Sequence, residues 1–181
     1  MKKSLYLSFF LAVISIISAF ILSMTNSLTS ETIKNASIAK QNKKLQAMFN
    51  DKTKFTEEGT SHENPAIEKV FKAEEDGKVT GYVYNVVTKG YGGKIKFLVA
   101  MSSDGKYIAF DSLEHNETPG FGTKMDEPKF KGQFKDKPVT DEIDGISGAT
   151  ITTKGLKKRL APLDYFYYFF LRKIIRNRRQ K

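Results

Sequence analysis

From Ser4 to Met24 the chain runs for 21 residues without a charge, dominated by Leu, Ile, Phe, Ala and Ser. About 20 apolar residues rising about 1.5 Å each span the hydrocarbon core of a bilayer. Three fates compete for such a segment: a transmembrane anchor, a cleaved signal peptide, or the buried helix of a soluble domain. Lys2 and Lys3 make a plausible signal n-region. The apolar core of a signal is usually only about 7–15 residues, however, and no small-x-small cleavage site follows this one. The uncharged length also argues against a helix buried in a soluble core. The reading is an anchor over 1–24. Charge leaves its direction open, since Lys2 and Lys3 precede the segment while Lys34, Lys40, Lys43 and Lys44 follow it.

The remaining length suits one compact domain with accessories. The formal net charge of +10 suggests a nucleic-acid binder until it is located. Residues 1–153 hold 20 Lys and Arg against 19 Asp and Glu, whereas 154–181 hold 10 against the single Asp164. The body is nearly neutral and the charge belongs to a tail, without a recognisable nucleic-acid fold around it. Cysteine is absent. Disulfides, zinc-thiolate sites, iron–sulfur clusters and a thiol nucleophile are thereby excluded, and no metal site is expected.

Residues 25–62 are polar, with a helix-compatible stretch at Ala36–Phe49, and read as a stalk. A domain over 63–161 follows. Ile67–Ala73 partly alternates, Asp76-Gly77 is a turn signal, and Val79–Val87 reads as a strand through Tyr82, Val83, Tyr84, Val86 and Val87. Gly90, Gly92 and Gly93 break the chain around Tyr91; Lys94–Ser102 and Lys106–Leu113 are further strands around the turn at Asp104-Gly105. Turns this short favour antiparallel hairpins. The expected class is α+β, a largely antiparallel sheet with flanking helices, preceded by one transmembrane helix.

Two loops invite chemistry. Leu113–Lys124 concentrates polar groups beside Gly120 and Gly122, where the backbone can approach a planar ligand and Glu117 and Thr118 can bond its edge. It also reads as an ordinary surface loop with a Pro-Gly turn. His115, one of two histidines and without a second ligand nearby in the sequence, fits a structural hydrogen bonder better than a metal ligand or base. Asp144-Gly145-Ile146-Ser147-Gly148-Ala149-Thr150 leads into a segment with Leu156 and Leu160 at helical spacing. Thr150 then sits at a helix start, either beside a phosphate held by free N–H groups or as a simple cap. The stretch lacks the closing Gly-Lys-Ser/Thr of a nucleoside-triphosphate loop.

Gly90-Tyr91-Gly92-Gly93, the Leu113–Gly122 loop and Asp144–Thr150, in that order behind an anchor, resemble a known family. It is the membrane-anchored FMN-binding domain of bacterial redox pumps, found in the G subunit of the Rnf ion-translocating complex. The related C subunit of sodium-translocating NADH:quinone reductase is the near alternative, and a stand-alone anchored flavin carrier or sensor a further one. The resemblance implies FMN joined to Thr150 by a phosphoester, installed by a separate flavin transferase. It implies that Glu117, Thr118, Pro119 and Gly120 lie near the flavin. Ser147, Gly148 and Ala149 would lie against it too, and with Asp144 and Gly145 they would form the loop that the transferase recognises. The implied role is electron relay between integral-membrane partner subunits, with no side chain catalytic by itself. In such complexes the flavin domain faces away from the cytoplasm, which implies a bacterial inner-membrane protein with its N-terminus inside.

The tail departs from the family pattern. Pro162 interrupts the last helix, and Leu163–Gln180 begins afresh with Leu163, Phe166, Tyr167, Phe170, Leu171, Ile174 and Ile175 on one face. Arg172, Arg176 and Arg179 fall opposite. A basic amphipathic helix over 162–181 is expected, lying at a lipid surface, docking on another protein of the complex, or serving as a charged end to a packed helix.

Overall fold

A computed structural model describes residues 2–59, 65–161 and 163. The chain divides into two units, Met1–Asn42 and Lys43–Lys181. A single helix, α1 (Lys2–Met48), fills the first unit and runs into the second. Its most apolar window has a mean hydropathy of 2.5 and none of it is buried. Phe9, Phe20 and Leu22 are all exposed, which removes the buried-core alternative for this segment. Within it, the Ser15 hydroxyl donates to the Leu11 carbonyl at 2.8 Å, so that polar side chain is satisfied by its own helix, as a lipid environment requires.

The second unit is built on five antiparallel strands in sequential order: β1 (Lys54–Gly59), β2 (Ile67–Glu75), β3 (Lys78–Lys89), β4 (Lys94–Ser102) and β5 (Tyr107–Glu114). Asp76 and Gly77 join β2 to β3 with φ of 49° and 75°, the left-handed pair that a two-residue hairpin needs. Four of the strands fall where the sequence pattern places them. The first does not: β1 lies inside the segment read as stalk. Phe55 is its one large apolar residue, so the period-two signal is missing. As an edge strand it is held by its ladder to β2 and by ion pairs from Lys69 to Glu57 (2.9 Å) and Lys72 to Glu58 (3.6 Å).

Alternation along β3 and β4 makes two cores. Tyr82, Tyr84 and Val86 share one face with Ile95, Phe97, Val99 and Met101, while Val83, Leu98 and Ala100 share the other. The end of α1 closes the second face: Leu45 is buried there, and Met48 and Phe49 pack against it. Lys44 anchors this closure by donating to Asp111 of β5 at 2.9 Å and to the Ser112 carbonyl. The first face is covered by chain after β5. Gly122–Asp126 and Gly132–Phe134 form single 3-10 turns around the short α2 (Pro128–Lys131), and α3 spans Thr150–Leu160. Phe134 stacks on Phe110 at 4.7 Å between centroids and meets Tyr107 edge-on at 5.4 Å. The architecture is α+β with an antiparallel sheet, as expected. Of the amphipathic tail helix expected over 162–181, only Leu163, buried in the first core, lies inside the described residues.

Helix α3 is seated by one close approach. The Thr88 hydroxyl on β3 donates to the Gly155 carbonyl at 2.8 Å, and a Cβ built on Gly155 would stand 2.4 Å from the Lys89 carbonyl oxygen. No side chain fits that space without moving the helix off the strand. Gly155→Ala is expected to destabilise the domain by about 2 kcal/mol in urea unfolding. Gly132→Ala is the control, since nothing lies within 4 Å of the Cβ it would add; equal stability of the two variants would contradict this account of the docking.

Candidate functional site

The two loops singled out in the sequence meet. The first leaves β5 after Glu114, the second feeds α3, and the β3–β4 hairpin tip at Tyr91 completes a cleft of about 420 Å³. Glu117, Thr118, Phe121 and Gly122 line it from the first loop; Gly148, Ala149 and the opening residues Thr150, Ile151 and Thr152 of α3 line it from the second. Tyr91, Phe121 and Ile151 are exposed at this cleft and give it an apolar rim.

Glu117 is the residue around which the cleft is built, being only 6% exposed. One carboxylate oxygen accepts the Gly92 N–H at 2.9 Å and the other accepts the Thr152 hydroxyl. Three glycines make room for it. A Cβ on Gly90 would lie 2.2 Å from one carboxylate oxygen, a Cβ on Gly122 2.3 Å from the other, and one on Gly92 would run into the Asn116 carbonyl at 1.8 Å. No cation pairs with Glu117 among the described residues. Burying a carboxylate this way costs several kcal/mol unless its lone pairs are met, and here hydrogen-bond donors rather than a counter-ion meet them.

Thr150 is the first residue of α3, behind an Ala149 N-cap, and its side chain makes no cap. The cap alternative therefore fails for this residue, which is exposed and whose hydroxyl makes no hydrogen bond among the described residues. The loop is tied instead by Thr153, whose hydroxyl oxygen accepts the Ile146 N–H at 2.9 Å. The N–H groups of Thr150, Ile151 and Thr152 open an 11-residue helix and lack helical acceptors, so the positive end of its dipole faces the cleft.

The remaining expected site residues are arranged around this centre. Pro119 and Gly120 do not line the cleft; they form the turn closed by Phe121 N–H to the Thr118 carbonyl at 3.1 Å, which puts Phe121 on the rim. Ser147 is exposed beside the cleft without lining it. Asp144 and Gly145 are exposed further back along the loop, where the Asp144 N–H donates to the Gln133 side chain at 2.7 Å. Two features escaped the sequence reading. Thr152 carries a periodic signal, four residues before Leu156 and eight before Leu160 on the buried face of α3, yet nothing local pairs it with Glu117. Asp126 gave no signal. It accepts the Ser112 hydroxyl on one oxygen and lies 2.8 Å from His115 Nε2 on the other. His115 is engaged in hydrogen bonds on both ring nitrogens, and no group of three or more metal-ligating side chains occurs among the described residues.

The cleft suits a flavin mononucleotide. Its volume falls within the range of small-ligand pockets, its rim is apolar for a planar ring, and a helix start faces it for a phosphate. Comparison with known proteins agrees. Residues 90–161 match the FMN-binding domain family. The G subunit of a proton-translocating ferredoxin:NAD(+) oxidoreductase complex from Clostridium ljungdahlii is 33% identical over 159 residues, covering 82% of this chain and 83% of that one. The G subunit of an ion-translocating oxidoreductase complex from Methanosarcina acetivorans is 32% identical, covering 86% and 90%. Among solved structures, the C subunit of a Na(+)-translocating NADH-quinone reductase from Parabacteroides distasonis aligns with a TM-score of 0.47 at 27% identity. That alignment covers 55% of this chain and 61% of the other. The chain belongs to the G-subunit family of ion-translocating oxidoreductase complexes, membrane-anchored proteins built on an FMN-binding domain.

Burial alone would raise the Asp126 carboxyl, but the Ser112 and His115 hydrogen bonds and the Lys131 ammonium nearby hold it below the usual carboxylate range. A depressed native pKa adds stability that is present above the unfolded value and is lost as pH falls through the native one. Asp126→Asn is therefore expected to cost about 1 kcal/mol near neutrality, a modest figure because the carboxylate is partly solvated. In chemical denaturation the two stability curves should converge as pH drops below the ordinary aspartate range; a gap that widens in acid would contradict the assignment.

Proposed function

We propose that this chain is the membrane-anchored electron-carrying subunit of an ion-translocating oxidoreductase complex, holding FMN in the cleft through a phosphoester on Thr150. The observation that carries the reading is the Thr150 hydroxyl, exposed and without a hydrogen-bond partner among the described residues, at the mouth of a cleft built by both loops. When bound, FMN supplies the electron-accepting and electron-donating chemistry that no side chain here can. The protein's part is to hold and orient. The start of α3 favours the negative charge of a phosphate at Thr150, Gly148 lets the backbone come close, and Tyr91, Phe121 and Ile151 offer apolar surface to the ring. Glu117 and Thr118, which line the cleft, would meet its polar edge.

A threonine hydroxyl is a poor nucleophile without a base. The carboxylate in the cleft is engaged by Gly92 and Thr152, and no other base contacts Thr150 among the described residues. Attachment then falls to a separate flavin transferase, for which the exposed Asp144–Ala149 loop is the accessible handle. As the family resemblance implies, the N-terminus lies on the cytoplasmic side of a bacterial inner membrane and the FMN domain on the outer side, where it exchanges electrons with neighbouring integral-membrane proteins of the complex.

The full chain, coexpressed with a flavin transferase and run on a denaturing gel, is expected to show flavin fluorescence that vanishes in Thr150→Ala. A wild-type band without fluorescence, or a Thr150→Ala band that keeps it, would overturn the reading.

A further inference from the structure

We propose that His115 is a positioning residue for this cleft, acting through Glu117 to fix how strongly a carboxylate charge is felt by the bound flavin; the inference rests on the FMN reading above. The Glu117 side chain is held at its far end by Gly92 and Thr152, and at its backbone end by His115. The Glu117 N–H donates to His115 Nδ1 at 3.3 Å. An accepting Nδ1 places the neutral ring's proton on Nε2, which faces Asp126 Oδ2 at 2.8 Å. Asp126 is itself fixed by the Ser112 hydroxyl, on a strand residue that is 5% exposed. One unbroken chain of hydrogen bonds thus runs from β5 through Asp126, His115 and Glu117 to Thr152 on α3.

These contacts hold the Glu117 carboxylate in the cleft wall. Among the described residues no cation pairs with the Glu117 carboxylate, whose oxygens are met by the Gly92 N–H and the Thr152 hydroxyl. A buried, uncompensated carboxylate opposes the arrival of electrons on a neighbouring group, and does so more strongly the less it is solvated. Glu117 therefore lowers the potential of a flavin in this cleft, and His115 keeps Glu117 where that charge stays out of water. A histidine serving only the fold would leave the potential alone.

Two variants separate the ring's contacts. His115→Asn retains an acceptor near the Nδ1 position, whereas His115→Gln reaches towards Asp126 and gives up the Nδ1 acceptor. In optical redox titrations of the flavin-loaded full chain in detergent, Glu117→Gln is expected to raise the midpoint potential. His115→Gln should raise it part of the way and His115→Asn should leave it near wild type. In the Glu117→Gln background, His115→Gln should add no shift. In flavin-free protein, the Glu117 amide should exchange with solvent roughly tenfold faster in His115→Gln than in wild type, the loss of about one hydrogen bond. A His115→Gln shift of equal size with and without Glu117, or no shift at all, would overturn the proposal. So would a wild-type Glu117 amide that exchanges as fast as an exposed one, a result that needs no variant to fold. A wild-type chain that binds no flavin would instead refute the proposed function, while the amide measurement still decides the role of His115.

Discussion

The buried Glu117 carboxylate is the constraint on which the rest of the site depends. It sits where three chain segments distant in sequence converge, the β3–β4 hairpin tip, the loop after β5 and the start of α3. It accepts a hydrogen bond from the first and from the last. The glycines at 90, 92 and 122 follow from that position, because a side chain at any of them would strike the carboxylate or the backbone beside it. So does the lie of α3: with Thr152 bonded to Glu117 and Gly155 pressed on β3, the helix has little freedom, and Thr150 is delivered to the mouth of the cleft.

Beneath the site the sheet works as a two-sided platform. One face carries the aromatic core that seats α3 and the segment after β5; the other receives Leu45 and its neighbours from the end of α1. The Lys44–Asp111 contact ties that helix end to β5, the strand from which the Asp126–His115–Glu117 chain begins. Anchoring and ligand binding thus draw on opposite faces of the same strands. For an electron carrier this is a useful arrangement, since the cofactor-holding wall is braced by a sheet that is buried on both sides.

Much of this was legible in the sequence because it rests on local signals. Partial alternation marked β2, apolar runs between turn signals marked β3 to β5, Asp76-Gly77 marked a hairpin, and the Ser-Gly-Ala-Thr stretch marked the start of α3. The strand β1 was not legible: Phe55 alone gives no alternation, and a polar edge strand is recognisable only by its partner. The Glu117–Thr152 and His115–Asp126 contacts were hidden for a different reason. They join residues 35 and 11 positions apart through side-chain hydrogen bonds, which no propensity or spacing encodes. The cap reading of Thr150 was locally reasonable too, and it fell only because Ala149 takes the cap position.

The excess positive charge, which alone would suggest nucleic acid, is concentrated in residues 154–181, where Lys154, Lys157, Lys158 and Arg159 lie on α3, and the domain over 63–161 as a whole is nearly neutral. The absence of cysteine matters more, because a redox protein without thiols must take its redox centre from outside and needs a handle to keep it. The most direct test of that handle is the mass of the intact chain, purified from cells with an active flavin transferase and fragmented to locate any addition. The account predicts the mass of the chain plus FMN less one water, with the addition on Thr150. An unmodified mass, or a flavin carried on any other residue, would contradict it.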